Sequence, residues 1–138
     1  MNEIGEIVSQ IYNKIMARHN AGISTVSIPE MTVNEEYYLD ILYYLENPTF
    51  SEFAEAAEIT KPAATQIIKR FISKGYVQKK PSETDKRVYH LEINDTIRQY
   101  FAESDRRLDE IYQDALSCLS EDEIGQLKAF LLRIDKHL

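Results

Sequence analysis

Apolar residues at Ile4, Ile7, Val8, Ile11 and Ile15 recur in steps of three and four, which places them on one face of a helix over about residues 2–19, ending before Gly22. The next stretch, "GISTVSIPEMTV", has no period, contains Pro29 and reads as a connection. Helical spacing resumes in "EEYYLDILYYLE", with Asn34 as the candidate N-cap and acids in the first turn, where the positive end of the helix dipole favours them. "NPT" stops that helix. Thr49 followed by Glu52 makes a capping-box pattern that opens a short helix, "FSEFAEAAE", with Phe53, Ala54 and Ala57 available to pack.

The period stays helical through "ITKPAATQIIKRFISKGY". Thr60 is a good N-cap, and Pro62 falls in the first turn, where a missing N–H costs little. Gly75 follows the last periodic residue, where a left-handed C-cap is easiest, so the helix spans about residues 61–74. Ala64, Ile67, Ile68 and Phe71 form its apolar stripe and leave Pro62, Ala63, Thr65, Gln66, Lys69 and Arg70 on the other side. From Tyr76 the period changes to two. "YVQKK" and "RVYHLEI" suit extended chain, Tyr89, Leu91 and Ile93 alternate as in a half-buried strand, and "PSETD" between them is a turn-forming loop. A helical period then returns in "DTIRQYFAESDRRLDEIYQDALSCL", capped by Asn94, with Ile97, Phe101, Leu108, Ile111, Ala115 and Leu119 apolar. Ser120 with Glu123 forms a second capping box, opening a final helix with Ile124, Leu127, Phe130, Leu131 and Ile134. These elements predict a mainly α fold with a small β-hairpin (α+β).

Composition narrows the class. A chain of 138 residues, 43% hydrophobic and with 4 Gly and 4 Pro, is expected to form one compact domain with a real core. No apolar run approaches the roughly 20 residues that cross a bilayer, and the acidic amino terminus lacks the basic start and apolar centre of a signal peptide. A soluble, cytoplasmic protein that does not engage membranes is the expectation. Cys118 is the single cysteine, so no internal disulfide can form. The total charge of -7 hides a polarised distribution: Thr60 to His90 holds eight basic and two acidic residues, a net +6 that leaves -13 for the rest. Half of those cations (Lys79, Lys80, Lys86, Arg87) fall in "VQKKPSETDKRVYHL". A block that reverses the sign of everything around it favours an anionic partner over a merely solvated charge run, with nucleic acid first.

Two short helices joined by the tight turn "AAEIT" make a helix-turn-helix pattern. Pro62 and Ala63 would let the second helix approach a major groove closely, Thr65 and Gln66 can hydrogen-bond base edges, and Lys61, Lys69 and Arg70 can meet phosphates. Helical hairpins of this kind also serve as plain packing units, and the motif by itself leaves both roles open. The hairpin that follows adds Lys79 and Lys80 on its incoming strand and Lys86 and Arg87 near its tip. That is a wing, able to reach the sugar-phosphate backbone or the minor groove.

The order "FAEAAEITKPAATQIIKRFISKGYVQKKPSETDKRVYHLEIND" resembles the core of the multiple antibiotic resistance regulator (MarR) family of winged helix-turn-helix transcription factors. The resemblance covers about residues 32–96 in motif detail and the flanking helices in layout. Its most specific piece is "KGYVQKKPSETDKR", which ends in an Asp-x-Arg at Asp85 and Arg87. The resemblance implies that Asp85 orients Arg87 and that Arg87 enters the minor groove. Asn94 stands where the family often has Thr, and Gln78 with Lys79 replaces a common acid-Arg pair, which bears on base preference. It further implies that the helices over residues 1–20 and 95–138 interlock into a homodimer. Two recognition helices would then face successive major grooves of double-stranded DNA about 34 Å apart, as in a repressor on a palindromic operator. Covering a monomer's own core is the alternative role for those helices. Release by a small phenolic or aromatic ligand is a last implication. Tyr37, Tyr38, Tyr43 and Tyr44 are the candidate pocket, with ordinary core packing as the stronger reading.

Cys118, in an apolar stretch, reads as core. His19, His90 and His137 are far apart in sequence, without paired-ligand spacing, and read as surface or locally bonded; no metal or cofactor is expected. The sequence has no Gly-rich phosphate loop, no nucleophile elbow and no carboxylate pair near a histidine, so no enzyme is expected. The rival to a DNA-binding regulator is a winged-helix adaptor that docks on a protein or RNA.

Overall fold

The computed structural model describes residues 2–22 and 26–138. Its elements are α1 (Glu3–Ala21), α2 (Val33–Leu45), α3 (Phe50–Ala56), α4 (Lys61–Ser73), β1 (Val77–Pro81), β2 (Tyr89–Ile93), α5 (Asp95–Leu116) and α6 (Glu121–His137). This is the expected mainly α fold with an antiparallel two-stranded wing. The connection expected over residues 22–33 lies partly outside the described residues, and from residue 26 it consists of bends and turns. The chain divides into two compact units: α1 with Ser104–Leu138, and the chain between, through Glu103. The division falls inside α5 rather than at its start, because Ile97 and Phe101 are buried in the core of the winged unit.

That core is built by Leu39 and Leu42 of α2, Phe53 and Ala54 of α3, and Ala64, Ile68 and Phe71 of α4, closed by Val77 and Leu91 of the hairpin. The hairpin register pairs Val77 with Ile93, Lys79 with Leu91 and Pro81 with Tyr89. Pro81 therefore belongs to β1 and not to the loop, a strand end being where its missing N–H is tolerated. Tyr89 alternates with Leu91 and Ile93 as expected, yet at the tip end of β2 it stays 43% exposed while the other two are buried. Asn94 caps α5: its Oδ1 accepts from Ile97 N–H at 2.7 Å, and its Nδ2 donates to the Gly75 carbonyl at 2.8 Å, tying α5 to the end of α4.

One cap differs from expectation. Thr32, not Asn34, caps α2: its hydroxyl accepts from Glu35 N–H at 3.1 Å and the Glu35 carboxylate accepts from Thr32 N–H at 3.4 Å. This reciprocal capping box satisfies two end groups at once and leaves Asn34 inside the first turn.

In the other unit Asn2 caps α1, and Arg18 pairs with Asp114 at 2.8 Å. Ile15 is buried, but Ile4, Ile7, Val8 and Ile11 are exposed, and so are Phe130, Leu131 and Ile134 of α6, a helix with no buried residue. Cys118 is exposed, contrary to its reading as core, because α5 ends at Leu116 and the thiol falls in the following turn. Ring nitrogens of His19 and His90 bond locally, to Ser104 Oγ at 2.9 Å and to the Asn47 carbonyl at 2.8 Å, while His137 is exposed. Among the described residues no cluster of His, Cys, Asp and Glu could hold a metal, and no helix is long and apolar enough to cross a membrane.

Candidate nucleic-acid interface

The turn between α3 and α4 closes without glycine. Ala57 ends α3, and Glu58 takes φ 53°. Glu58 N–H then bonds the Glu55 carbonyl at 3.1 Å, and Ile59 N–H bonds the Ala54 carbonyl at 3.0 Å. A left-handed residue with a side chain costs about 1–2 kcal/mol, which here is offset by the two closing bonds and the tight reversal they enforce. Thr60 opens α4 by accepting from Ala63 N–H at 3.2 Å. Gly75, at φ 76°, closes it in the same left-handed way, with Tyr76 N–H bonded to the Phe71 carbonyl at 2.8 Å.

Helix α4 is thereby fixed at both ends, and its two faces separate as the periodicity predicts. Ala64, Ile68 and Phe71 are buried and Ile67 is half-buried. Lys61, Pro62, Gln66, Lys69 and Arg70 are exposed, with Ala63 and Thr65 half-buried beside them. The Thr65 hydroxyl donates to the Lys61 carbonyl at 3.0 Å, which spends its proton within the helix and leaves it an acceptor only. Gln66 keeps both a donor and an acceptor for an outside partner.

The wing loop is braced at its neck by Ser82 N–H to the Val88 carbonyl at 2.9 Å. Inside it Asp85 Oδ1 accepts from the backbone N–H of Arg87 at 3.0 Å, and the two carboxylate oxygens accept from the Arg87 guanidinium at 3.2 Å each. The guanidinium bonds, followed by the backbone N–H, hold the Asp85 carboxyl below the ordinary carboxylate range. The Arg87 side chain is nevertheless 91% exposed: the aspartate sets its direction and leaves its outer face open. Lys86 stands exposed beside it.

The remaining cations of the basic block are not equivalent. Lys80 bridges Glu92 on the neighbouring strand at 2.7 Å. Lys74, at the C-cap of α4, turns inward to Glu35 at 2.7 Å and lies over the Tyr76 ring. Glu35 is buried, and this pair ties the start of α2 to the end of α4. Neither partnership is visible in the local sequence, since 39 residues separate Glu35 from Lys74 and the Lys80 contact depends on strand register. Of the four candidate pocket tyrosines, Tyr38 packs edge-on to Phe53 and Tyr43 stacks on Phe101 with centroids 5.4 Å apart, whereas Tyr37 and Tyr44 are exposed.

Residues 31–89, which run from the approach to α2 through the wing to the start of β2, match the MarR family model. Over 126 residues the chain is 24% identical to the uncharacterized HTH-type transcriptional regulator YybA of Bacillus subtilis (strain 168), covering 90% of this chain and 84% of that protein. Its fold is similar to Streptococcus pneumoniae FabT in complex with DNA, with a TM-score of 0.72 and 21% identity over 97% of this chain and 94% of that one. It is also similar to S. aureus MepR bound to ethidium bromide, with a TM-score of 0.70 and 18% identity over 99% and 96% of the two chains. The helix-turn-helix and the Asp85–Arg87 wing both fall within residues 31–89, the part of the chain that matches the MarR family model.

Proposed function

We propose that this protein is a sequence-specific, double-stranded DNA-binding transcriptional regulator that acts as a homodimeric repressor in the cytoplasm. The observation that carries this reading is one continuous exposed surface chemistry: a helix with a small, polar start and a basic end, followed by a wing whose Arg87 is aimed outward by Asp85. Lys61, Lys69 and Arg70 supply backbone contacts, Gln66 and the Thr65 oxygen read base edges over the small Pro62–Ala63 start, and Lys86 and Arg87 follow the minor groove. Lys79 and Lys80 flank that path, Lys80 more weakly because Glu92 neutralises it. FabT, of similar fold, is seen in complex with DNA.

The uncovered apolar faces of α1 and α6 support the dimer. An exposed array such as Ile4, Ile7, Val8 and Ile11 together with Phe130, Leu131 and Ile134 marks an interface in a protein this acidic, and a two-fold pairing buries it without leaving an open edge. Two α4 helices then meet successive grooves about 34 Å apart on a palindromic operator, and occupancy there excludes polymerase. The net charge of -7 is no obstacle, because screening at 0.1 M salt acts over about 10 Å. An aromatic ligand that relaxes the complex would meet Tyr37 and Tyr44, which share one exposed side of α2 at a seven-residue spacing, while Tyr38 and Tyr43 hold the core. MepR bound to ethidium bromide supports a ligand of that kind.

Paired substitutions test the reading. Arg87→Ala is expected to weaken binding to many DNA sequences about equally and to lower the salt slope by roughly 1 per site, whereas Gln66→Ala relaxes base preference by about 1–3 kcal/mol. Unchanged DNA affinity in Arg87→Ala would remove the wing from the interface and turn attention to the adaptor role.

A further inference from the structure

Period two turns Lys79 and Lys80 to opposite faces of the hairpin. Lys80 meets Glu92, but Lys79 lies on the side of Val77 and Leu91, toward the helices. Its ammonium is 5.2 Å from the centroid of the Phe50 ring at the start of α3 and 5.8 Å from that of Tyr89 on β2. Lys79 and Phe50 also line a cleft of about 320 Å³ with Lys61, Ala64 and Thr65 of α4. Its lining holds two cations and no carboxylate. An aromatic face holds a cation without cancelling its charge, whereas a carboxylate partner, as at Lys80, cancels it.

We infer that this cleft is a phosphate subsite of the interface, in which Lys61 and Lys79 share one DNA backbone phosphate and the rings of Phe50 and Tyr89 are positioning residues that preset Lys79. The inference rests on the DNA-binding reading above and adds to it a contact at the junction of α4 and the wing, separate from the tip at Arg87. Lysine is a point charge on a long flexible stem, and holding its ammonium near two rings before the phosphate arrives removes part of the ordering cost of the contact.

The probe is mixed-sequence duplex DNA, bound by the full chain across a salt series, since a phosphate contact is independent of base sequence. Lys79→Ala is expected to lower the slope of log affinity against log salt by about 1 and to weaken binding about tenfold at 0.1 M salt. Tyr89→Leu is expected to weaken binding about two- to fivefold, Phe50→Leu by a similar factor, and Tyr89→Phe not at all. In a Lys79→Ala background both ring substitutions should have no further effect, which a merely structural role of the rings would not produce. Should Phe50→Leu disturb folding, the more exposed Tyr89 carries the test alone. An unchanged slope in Lys79→Ala, with the unmodified chain still steeply salt-dependent, overturns the subsite and leaves the DNA-binding reading standing. Ring losses that persist without Lys79 overturn the positioning role, and no salt-dependent binding by the unmodified chain overturns both proposals.

Discussion

Leu131→Glu is expected to convert the protein to a monomer in solution and to weaken its binding to an inverted-repeat site by about 10²–10⁴, the factor contributed by linking two binding modules. The reasoning starts from α6. Leu131 is 54% exposed and sits among Phe130 and Ile134, which are equally uncovered, so a carboxylate there is harmless to the isolated chain but would be desolvated in a paired interface. Helix propensity is preserved, and Lys128 one turn earlier offers the new carboxylate a partner. Sedimentation gives the oligomeric state, and titration of a half-site beside the full inverted repeat separates loss of pairing from loss of the DNA contact. Half-site affinity should be unchanged. A variant that remained a dimer of full affinity would place the two-fold contact elsewhere.

Phe71→Ala carries the largest expected effect on stability, about 3–5 kcal/mol, measured as a shift in the denaturant midpoint. Phe71 is 1% exposed, contributes its ring to the core beneath α4 and has the Tyr76 ring 6.1 Å away. Removing it opens a cavity under the helix that presents Gln66, Lys69 and Arg70, so DNA affinity should fall along with stability. Gln66→Ala on the opposite face is the contrast: a surface change with an expected stability effect within about 0.5 kcal/mol and a clear effect on base preference. If Phe71→Ala left the midpoint in place, the assignment of the two faces of α4 would be wrong.

The course of α4 is legible in the amino-acid sequence because its signals are local. Thr60, Pro62 and Gly75 mark its ends through capping chemistry that acts within a few residues, and the boxes at Thr49–Glu52 and Ser120–Glu123 behave the same way. The cap of α2 is harder to place for a related reason. Thr32 and Glu35 carry the same box pattern, but Asn34 stands closer to the first apolar residues and competes with it as a cap. Contacts that depend on tertiary placement leave no local trace. Glu35 reads as one more first-turn acid until the fold brings Lys74 to it, and Lys79 reads like Lys80 until the hairpin register turns them to opposite faces. Cys118 continues the apolar stripe of α5 in the sequence, yet it is a surface thiol because the helix stops two residues earlier.

Selection of bound fragments from the source organism's own genomic DNA, with the affinity of the winners followed from about 50 to 200 mM salt, tests the central claim most directly. The account predicts a few fragments sharing an inverted repeat, with affinity falling by about 10³–10⁵ across that range as roughly 6–10 phosphates are neutralised. No enriched fragment, or binding that is insensitive to salt, would contradict it.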